Sequence, residues 1–369
     1  MLTFLSVAFT IYGAMHLYAL SKVWLALPHS VGLGVTLALA GLVMTLSPFI
    51  LWQLSKQNWH GAVATVSWAA YLWMGFLFIF CCTALLVDLA QLLATFTVLK
   101  WPLNASMGLL VIALISFALM GYGFISARKI QIEDVKISTP KLASGRLTIA
   151  QISDLHLGAM LGDEFLQRVI ARLHEIKPDI VVATGDIVDG QGDDLNALAR
   201  RFLTLQPPKG LFAITGNHEY FAGLENSLRF LHNAGFTVLR GESAATGGII
   251  LVGVDDHTAG AALHQEVKLD TKKALASVSK DDFIVLLKHQ PIVDRETQFD
   301  LQLSGHIHGG QIFPFGFLPW LTYGVHTGLT QLADGRLLYV SRGTGTWGPP
   351  IRLFAAPEIT LITIESENN

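Results

Sequence analysis

Ser153-Asp154-Leu155-His156-Leu157-Gly158 is the stretch around which the chain is organised, the first of five short polar stations. The others are Gly185-Asp186-Ile187-Val188-Asp189, Gly216-Asn217-His218-Glu219, Lys288-His289-Gln290-Pro291 and Gly305-His306-Ile307-His308-Gly309-Gly310. Each follows an apolar run that reads as a strand, such as Leu147 to Ile152 before the first and Ile180 to Thr184 before the second. A strand that ends in a glycine-bracketed turn delivers polar side chains to one sheet edge, where open α/β sheets hold their sites. Carboxylates, imidazoles and one amide, without thiolate, suit Mn, Fe or Zn better than Cu(I) or a structural zinc knot.

Asp154 and His156 stand two apart, as do His306 and His308, so in a persisting extended chain each pair points one way and can bite one ion. Asp154, His156, Asp186, Asn217, His289, His306 and His308 are seven candidate ligands, more than one closed tetrahedral site needs. Two divalent ions are the economical reading.

The blocks D-x-H, G-D-x-x-D, G-N-H-E, a lone His before a Pro, and G-H-x-H, in this order, resemble the calcineurin-like metallophosphoesterase superfamily over about Val135 to Glu365. Gly309-Gly310-Gln311-Ile312 and Tyr339-Val340-Ser341-Arg342-Gly343-Thr344-Gly345 resemble its membrane-anchored or exported bacterial branch. The resemblance implies an α/β fold of two packed sheets flanked by helices, a four-layer α-β-β-α sandwich. It also implies that Asp154, His156, Asp186 and His308 hold one metal, while Asp186 bridges to a second held by Asn217, His289 and His306. His218 is then left to protonate the leaving oxygen, with Glu219 expected to orient its imidazole. Asp189 either stands behind the ligands or caps the following turn. Arg342 is expected to supply counter-charge to the phosphoryl group, with Arg240 and Arg352 as weaker candidates. Manganese is the expected metal, with Fe or Zn as alternatives.

Hydrophobic residues make up 51% of the 369 and charged ones only 14%, and the imbalance is local. Residues 1–127 carry just Lys22, Lys56, Asp88 and Lys100, so the remainder is about five charges negative. An acidic domain is a poor partner for polymeric nucleic acid. Four stretches, Leu2 to Trp24, Val31 to Leu54, Gly61 to Phe96 and Ala105 to Ala127, are long and apolar enough to cross ~30 Å of hydrocarbon. The expected organisation is a four-helix transmembrane domain over 1–127 and a catalytic domain over 128–369. Lys56, Arg128, Lys129, Lys136, Lys141 and Arg146 outweigh Lys22 and Lys100, which places the catalytic domain in the cytoplasm, at a bacterial inner membrane. One helix more or fewer reverses that side.

Within the membrane region Asp88 is a functional candidate or an interfacial residue, and His16 reads as an interfacial or inter-helix hydrogen-bonding residue rather than a ligand. Trp24, Trp52, Trp59, Trp68, Trp73 and Trp101 read mostly as an aromatic belt. Cys81 and Cys82 read as helix packing. In the catalytic part an edge strand is expected over residues 130–137, and amphipathic helices over Asp163 to Ile176, Asp193 to Leu205 and Gly223 to Ala234. His257, His264 and His326 belong to no motif. The segment Phe313 to Tyr323 is too apolar for a solvent loop, and reads as a wedge into the lipid interface or a wall for an acyl chain, or else as packing. The expected activity is hydrolysis of a phosphoester or pyrophosphate bond in a lipid-linked substrate. An anchored enzyme for soluble nucleotides or cell-wall phosphates is the alternative, and a membrane sensor with a regulatory domain is a third.

Overall fold

The computed structural model describes residues 2–55, 60–97, 102–189, 195–257, 271–276, 278–293 and 297–367. Lys56, Asn58, Trp59, Lys100, Trp101 and His264 lie outside the described residues, as does the expected helix start at Asp193. The chain forms two compact units, Met1–Ile125 with Gly348–Leu353, and Ser126–Trp347 with Phe354–Asn369. The first unit takes in residues 348–353, which the sequence reading assigned to the second.

Four helices make up most of the first unit: α1 (Leu2–Ala26), α2 (Val31–Ser55), α3 (His60–Ala94) and α4 (Ala105–Ser126). Among the described residues three, not the expected four, contain a span long and apolar enough to cross a membrane: Val31–Leu54, Val63–Ala94 and Ala105–Ser126. α1 is not among these three, and it carries the polar residues Tyr12, His16, Tyr18 and Lys22. These polar groups instead tie helices together. Trp73 Nε1 donates to His16 Nε2 at 2.8 Å, and His16 Nδ1 lies 2.9 Å from the Tyr12 carbonyl and 3.1 Å from Thr45 Oγ1. Trp73 is thus an inter-helix donor rather than part of a belt. Asp88 accepts from Lys22 Nζ at 2.5 and 2.6 Å and from the Tyr18 hydroxyl at 2.7 Å, so the carboxylate in α3 is charge-paired with α1. That pairing offsets the cost of a charge among apolar helices.

The second unit is built on two six-stranded sheets. The first contains β1 (Gln131–Thr139), β2 (Arg146–Ile152), β3 (Ile180–Thr184), β4 (Leu211–Ile214), β5 (Thr237–Val238) and β12 (Glu358–Ser366), in the order β1-β12-β2-β3-β4-β5. The second contains β6 (Glu242–Thr246), β7 (Ile249–Gly253), β8 (Phe283–Leu287), β9 (Leu301–Ser304), β10 (Gly328–Gln331) and β11 (Leu337–Val340), in the order β10-β11-β9-β8-β7-β6. β2 through β5 run parallel, as do β7, β8, β9 and β11, while β12, β6 and β10 add antiparallel pairings. β1 is an edge strand, as its alternation predicts.

The apolar runs are continuous because both faces of each central strand are buried. In β3, Ile180 and Val182 join the core between the sheets, while Val181 and Ala183 face the opposite way into the core under α5 (Asp163–Ile176), α6 (Leu195–Phe202) and α8 (Leu224–Asn233). In β8, Phe283, Val285 and Leu287 enter the same inter-sheet core, and Ile284 and Leu286 pack outward with Ala274 and Phe299. Helices thus cover an α/β sandwich of two mixed sheets. α5 coincides with its expected span, and α6 ends three residues sooner than expected, at Phe202. The parallel strands β2, β3 and β4 and their counterparts β8 and β9 end next to the five polar stations.

Candidate metal centre

All five stations meet at the carboxyl ends of these strands, and three groups of potential ligands form: Asp154, His156 and His308; Asp186, His289 and His306; and His156, Asp189 and His218. Within each group the donor atoms lie within 4.8 Å of one another. The local geometry differs from the extended one that the i, i+2 spacing suggests. Asp154, His156, Asp186, His306 and His308 all have positive φ, between 51° and 71°, and are five of the eight such non-glycine residues among those described. A left-handed conformation costs a residue with a Cβ about 1–3 kcal/mol, so it persists only where the surroundings enforce it.

Glu219 is one enforcer. Fully buried, its carboxylate accepts from the backbone N–H groups of Asp186 (2.9 Å), Gly216 (2.6 Å), Ile187 (2.7 Å) and Val188 (3.2 Å). It therefore fixes the turn after β3, and the expectation that it orients the His218 imidazole is corrected. The helix α7 (Asn217–Phe221) begins directly after Gly216, and a Cβ at Gly216 would collide with the Asp186 carboxylate. On the other side, Thr344 N donates to Ser153 O at 2.8 Å and Gly345 N to Asp154 O at 3.0 Å, so the Ser341–Gly345 turn braces the first station.

The imidazoles are oriented by their outer nitrogens. His156 Nδ1 donates to Asp189 Oδ1 at 2.8 Å, which turns Nε2 toward His308 Nε2 (3.0 Å) and Asp186 Oδ2 (3.9 Å). His289 Nδ1 donates to the Thr184 carbonyl at 2.8 Å, which turns its Nε2 toward Asp186 Oδ2 (3.2 Å) and His306 Nδ1 (3.2 Å). Asp154 Oδ1 stands 3.5 Å from His308 Nε2. Asp186 Oδ2 thus lies between the two imidazole pairs, while its Oδ1 accepts from the His218 backbone N–H at 2.8 Å. A backbone or carboxylate partner on the far nitrogen is the arrangement that presents the near one, unprotonated, to a metal.

Two features fit the residues to divalent ions. Nitrogen lone pairs that face one another across about 3 Å need a shared cation or proton between them. The Asn217 side-chain oxygen is buried with no hydrogen-bond partner, an orphaned acceptor that a metal would satisfy.

His218 Nδ1 also lies 2.8 Å from Asp189 Oδ1, so one carboxylate oxygen holds His156 and His218 together. The His218 ring is edge-on to His156 at 4.6 Å and is flanked by Phe221 and Trp347 at 5.6 and 6.1 Å. Burial alone would lower its pKa, but the negative charge of Asp186 and the Asp189 hydrogen bond push it up to about 9. Burial raises Asp189, and the two imidazoles more than offset this, holding it well below the usual carboxylate range. Asp186 likewise is raised by burial but lowered further by His289, His218 and His156. Burial lowers His306, and the neighbouring His289 adds to that.

Arg342 does not reach into this group. Its guanidinium pairs with Glu358 at 2.6 Å and Glu133 at 2.9 Å and donates to the Ala356 carbonyl at 3.2 Å, so the expected phosphate contact is corrected to a structural ion-pair network. Buried Glu358 needs a cation, and that need decides the partner. Arg240 is taken up by Asp255, and Arg352 is fully buried in the first unit. His326 stacks on Trp320 at 6.0 Å, and His257 joins none of the ligand groups. The double role of Asp189 is the feature that sequence spacing hinted at least. Its only signal was the second Asp of Gly185-Asp186-Ile187-Val188-Asp189.

Residues 147–310 match the family described as calcineurin-like phosphoesterase. An uncharacterized metallophosphoesterase of Aquifex aeolicus (strain VF5) is 40% identical over 260 residues, 69% of this chain and 99% of that protein. A Danio rerio protein named transmembrane protein with metallophosphoesterase domain is 33% identical over 272 residues, 69% of this chain and 62% of that protein. Among solved structures, a 5'-nucleotidase precursor from Thermus thermophilus shares 16% identity over 60% of this chain and 54% of its own, at a TM-score of 0.36, a likeness too slight to bear on substrate. With this match along nearly the whole Aquifex relative and five stations gathered at the strand ends of the two sheets, the chain belongs to the calcineurin-like metallophosphoesterases, hydrolases of phosphoester bonds that work with divalent metals.

Proposed function

We propose that this phosphoesterase hydrolyses a lipid-linked phosphoester or pyrophosphate at the surface of the membrane that its N-terminal helices enter, with residues 1–127 as anchor and 128–369 as catalytic domain. Asp154, His156, Asp186 and His308 would hold one ion and Asn217, His289 and His306 the other, with Asp186 shared. The imidazole-rich donor set favours manganese over magnesium. When bound, the ions lower the pKa of water and neutralise phosphoryl charge. His218 donates its proton to the leaving oxygen, and Asp189 holds the ring for that transfer. With the three spans Val31–Leu54, Val63–Ala94 and Ala105–Ser126, Lys56 and the basic residues from Arg128 to Arg146 still share one side and Lys22 and Lys100 the other, so in this reading the catalytic domain faces the cytoplasm of a bacterial cell.

The observation that carries the lipid reading is the segment from Phe313 to Tyr323. Phe313, Phe315, Phe317, Leu318, Trp320 and Leu321 are all exposed, and Leu321 retains 69% of its accessible surface. Six large apolar side chains open to water form a patch of the kind that marks an interface. The segment ends beside the centre, where the Tyr323 ring meets His306 edge-on at 5.7 Å.

The test replaces Phe315, Phe317 and Trp320 by Ser and compares turnover of a long-chain lipid phosphate with that of a soluble chromogenic phosphodiester. The ratio of the two is expected to fall. A parental ratio would overturn the lipid reading in favour of an anchored enzyme for soluble esters.

A further inference from the structure

A cavity of about 560 Å³ lies between the segment 290–293, which follows the station residue His289, and Tyr323 and Val325. Among the described residues its walls are Pro291, Ile292, Val293 and Val325 together with the Tyr323 ring, with Gln290 and Thr322 at its edge. The polar groups at its edge are engaged in hydrogen bonds: Gln290 Nε2 donates to Asp256 Oδ2 at 2.7 Å, the Tyr323 hydroxyl donates to Gln290 Oε1 at 3.3 Å, and Thr322 Oγ1 donates to the Leu318 carbonyl at 3.0 Å. The size falls within the ~300–1,000 Å³ of ordinary ligand sites, and walls made mostly of aliphatic and aromatic side chains suit a hydrocarbon better than a sugar.

Position says which hydrocarbon. Tyr323 is both a wall of the cavity and the edge-on neighbour of His306, and Gln290 directly follows His289. The helix Phe317–Tyr323 that ends at this wall exposes Phe317, Leu318 and Leu321. A molecule lying with its phosphoryl group at His289 and His306 would therefore have a continuous apolar path, first the cavity and then the exposed helix.

We propose that this cavity seats one alkyl or acyl chain of the substrate, next to the phosphoryl group, and so sets a chain-length preference. This rests on the lipid-linked reading above and adds a location to it. Ile292 and Val325 line the chain, with Tyr323 between it and the His306 imidazole.

The experiment uses full-length protein with a series of alkyl 4-nitrophenyl phosphodiesters carrying short, medium and long chains. For the unaltered protein kcat/KM should climb with chain length. Ile292→Trp and, separately, Val325→Trp fill the space, so the climb should stop at a shorter chain and the long-to-short ratio should drop at least about tenfold, as loss of two methylene contacts implies. A parental protein indifferent to chain length would overturn the lipid-linked reading itself. A parental climb left unaltered by both substitutions would overturn only the cavity assignment. On the unaltered protein, a diester with a photoreactive diazirine on the long chain should label Ile292, Val293 or Val325, and labelling confined to other residues would also overturn it.

Discussion

Asp189 Oδ1 lies 2.8 Å from Nδ1 of His218, so the imidazole flanked by Phe221 and Trp347 is held by a carboxylate that also orients His156. In the chelator-treated protein this contact should be visible as a titration. The His218 imidazole, followed by NMR, should titrate near 9 rather than at the ordinary 6.5, and Asp189→Asn should bring it down toward the ordinary value. Because the folded pKa lies above the unfolded one, this group's contribution to stability is fully present below about pH 6.5 and is lost as pH rises through about 9. An unchanged His218 titration in Asp189→Asn would remove Asp189 from this role.

His218→Ala should slow esters with poor leaving groups by about 10²–10⁴-fold and an activated nitrophenyl ester far less, since proton donation matters most to a basic leaving oxygen. Bound metal should stay near the parental level. Equal slowing on both esters, or loss of metal, would make His218 a ligand or a structural residue.

Glu219→Gln tests the buttress. A carboxylate that accepts four backbone N–H groups is replaced by an amide with a single acceptor oxygen, which strands buried donors at about 1–3 kcal/mol each. Urea unfolding should show a loss of that order, with metal affinity lowered because Asp186 sits on the released turn. Normal stability would mean that the turn holds its shape without Glu219.

Arg342→Met should act on stability, not on phosphate. The substitution leaves buried Glu358 without its cation, a change worth about 3–5 kcal/mol in comparable pairs, which thermal unfolding will read. KM for a soluble diester should be unaffected in whatever fraction stays folded. A large rise in KM with unaltered stability would restore Arg342 as a substrate contact.

The five stations could be read in the sequence because each lies at the end of an apolar run, and strand ends are where a sheet presents side chains to a common edge. The helix Asp163–Ile176 was legible for a similar reason, its apolar positions recurring with helical period up to its left-handed cap at Lys177. What periodicity could not supply were pairings between remote segments. Arg342 meets Glu133 across 209 positions, and nothing local distinguishes an arginine bound for a carboxylate from one bound for a phosphate. Glu219 follows His218 directly, which invited a side-chain contact, yet α7 begins at Asn217 and turns the carboxylate back to the backbone of the β3 turn. The positive φ of Asp154, Asp186 and His306 was equally hidden, because these conformations are imposed by neighbours rather than by the residues' own preferences. In α1, length and apolar character suggested a membrane span, while its polar residues turn out to bind other helices.

The most direct test of the account is metal content and activity measured together on the same preparation. Full-length protein stripped with chelator, reloaded with Mn²⁺ and desalted should retain about two ions per chain and regain hydrolysis of a soluble chromogenic phosphodiester. Asp186→Asn, which removes the charge standing between the two imidazole pairs, should lose most of both ions and the activity with them. Parental metal content and parental turnover in Asp186→Asn would contradict a dinuclear centre organised on that carboxylate.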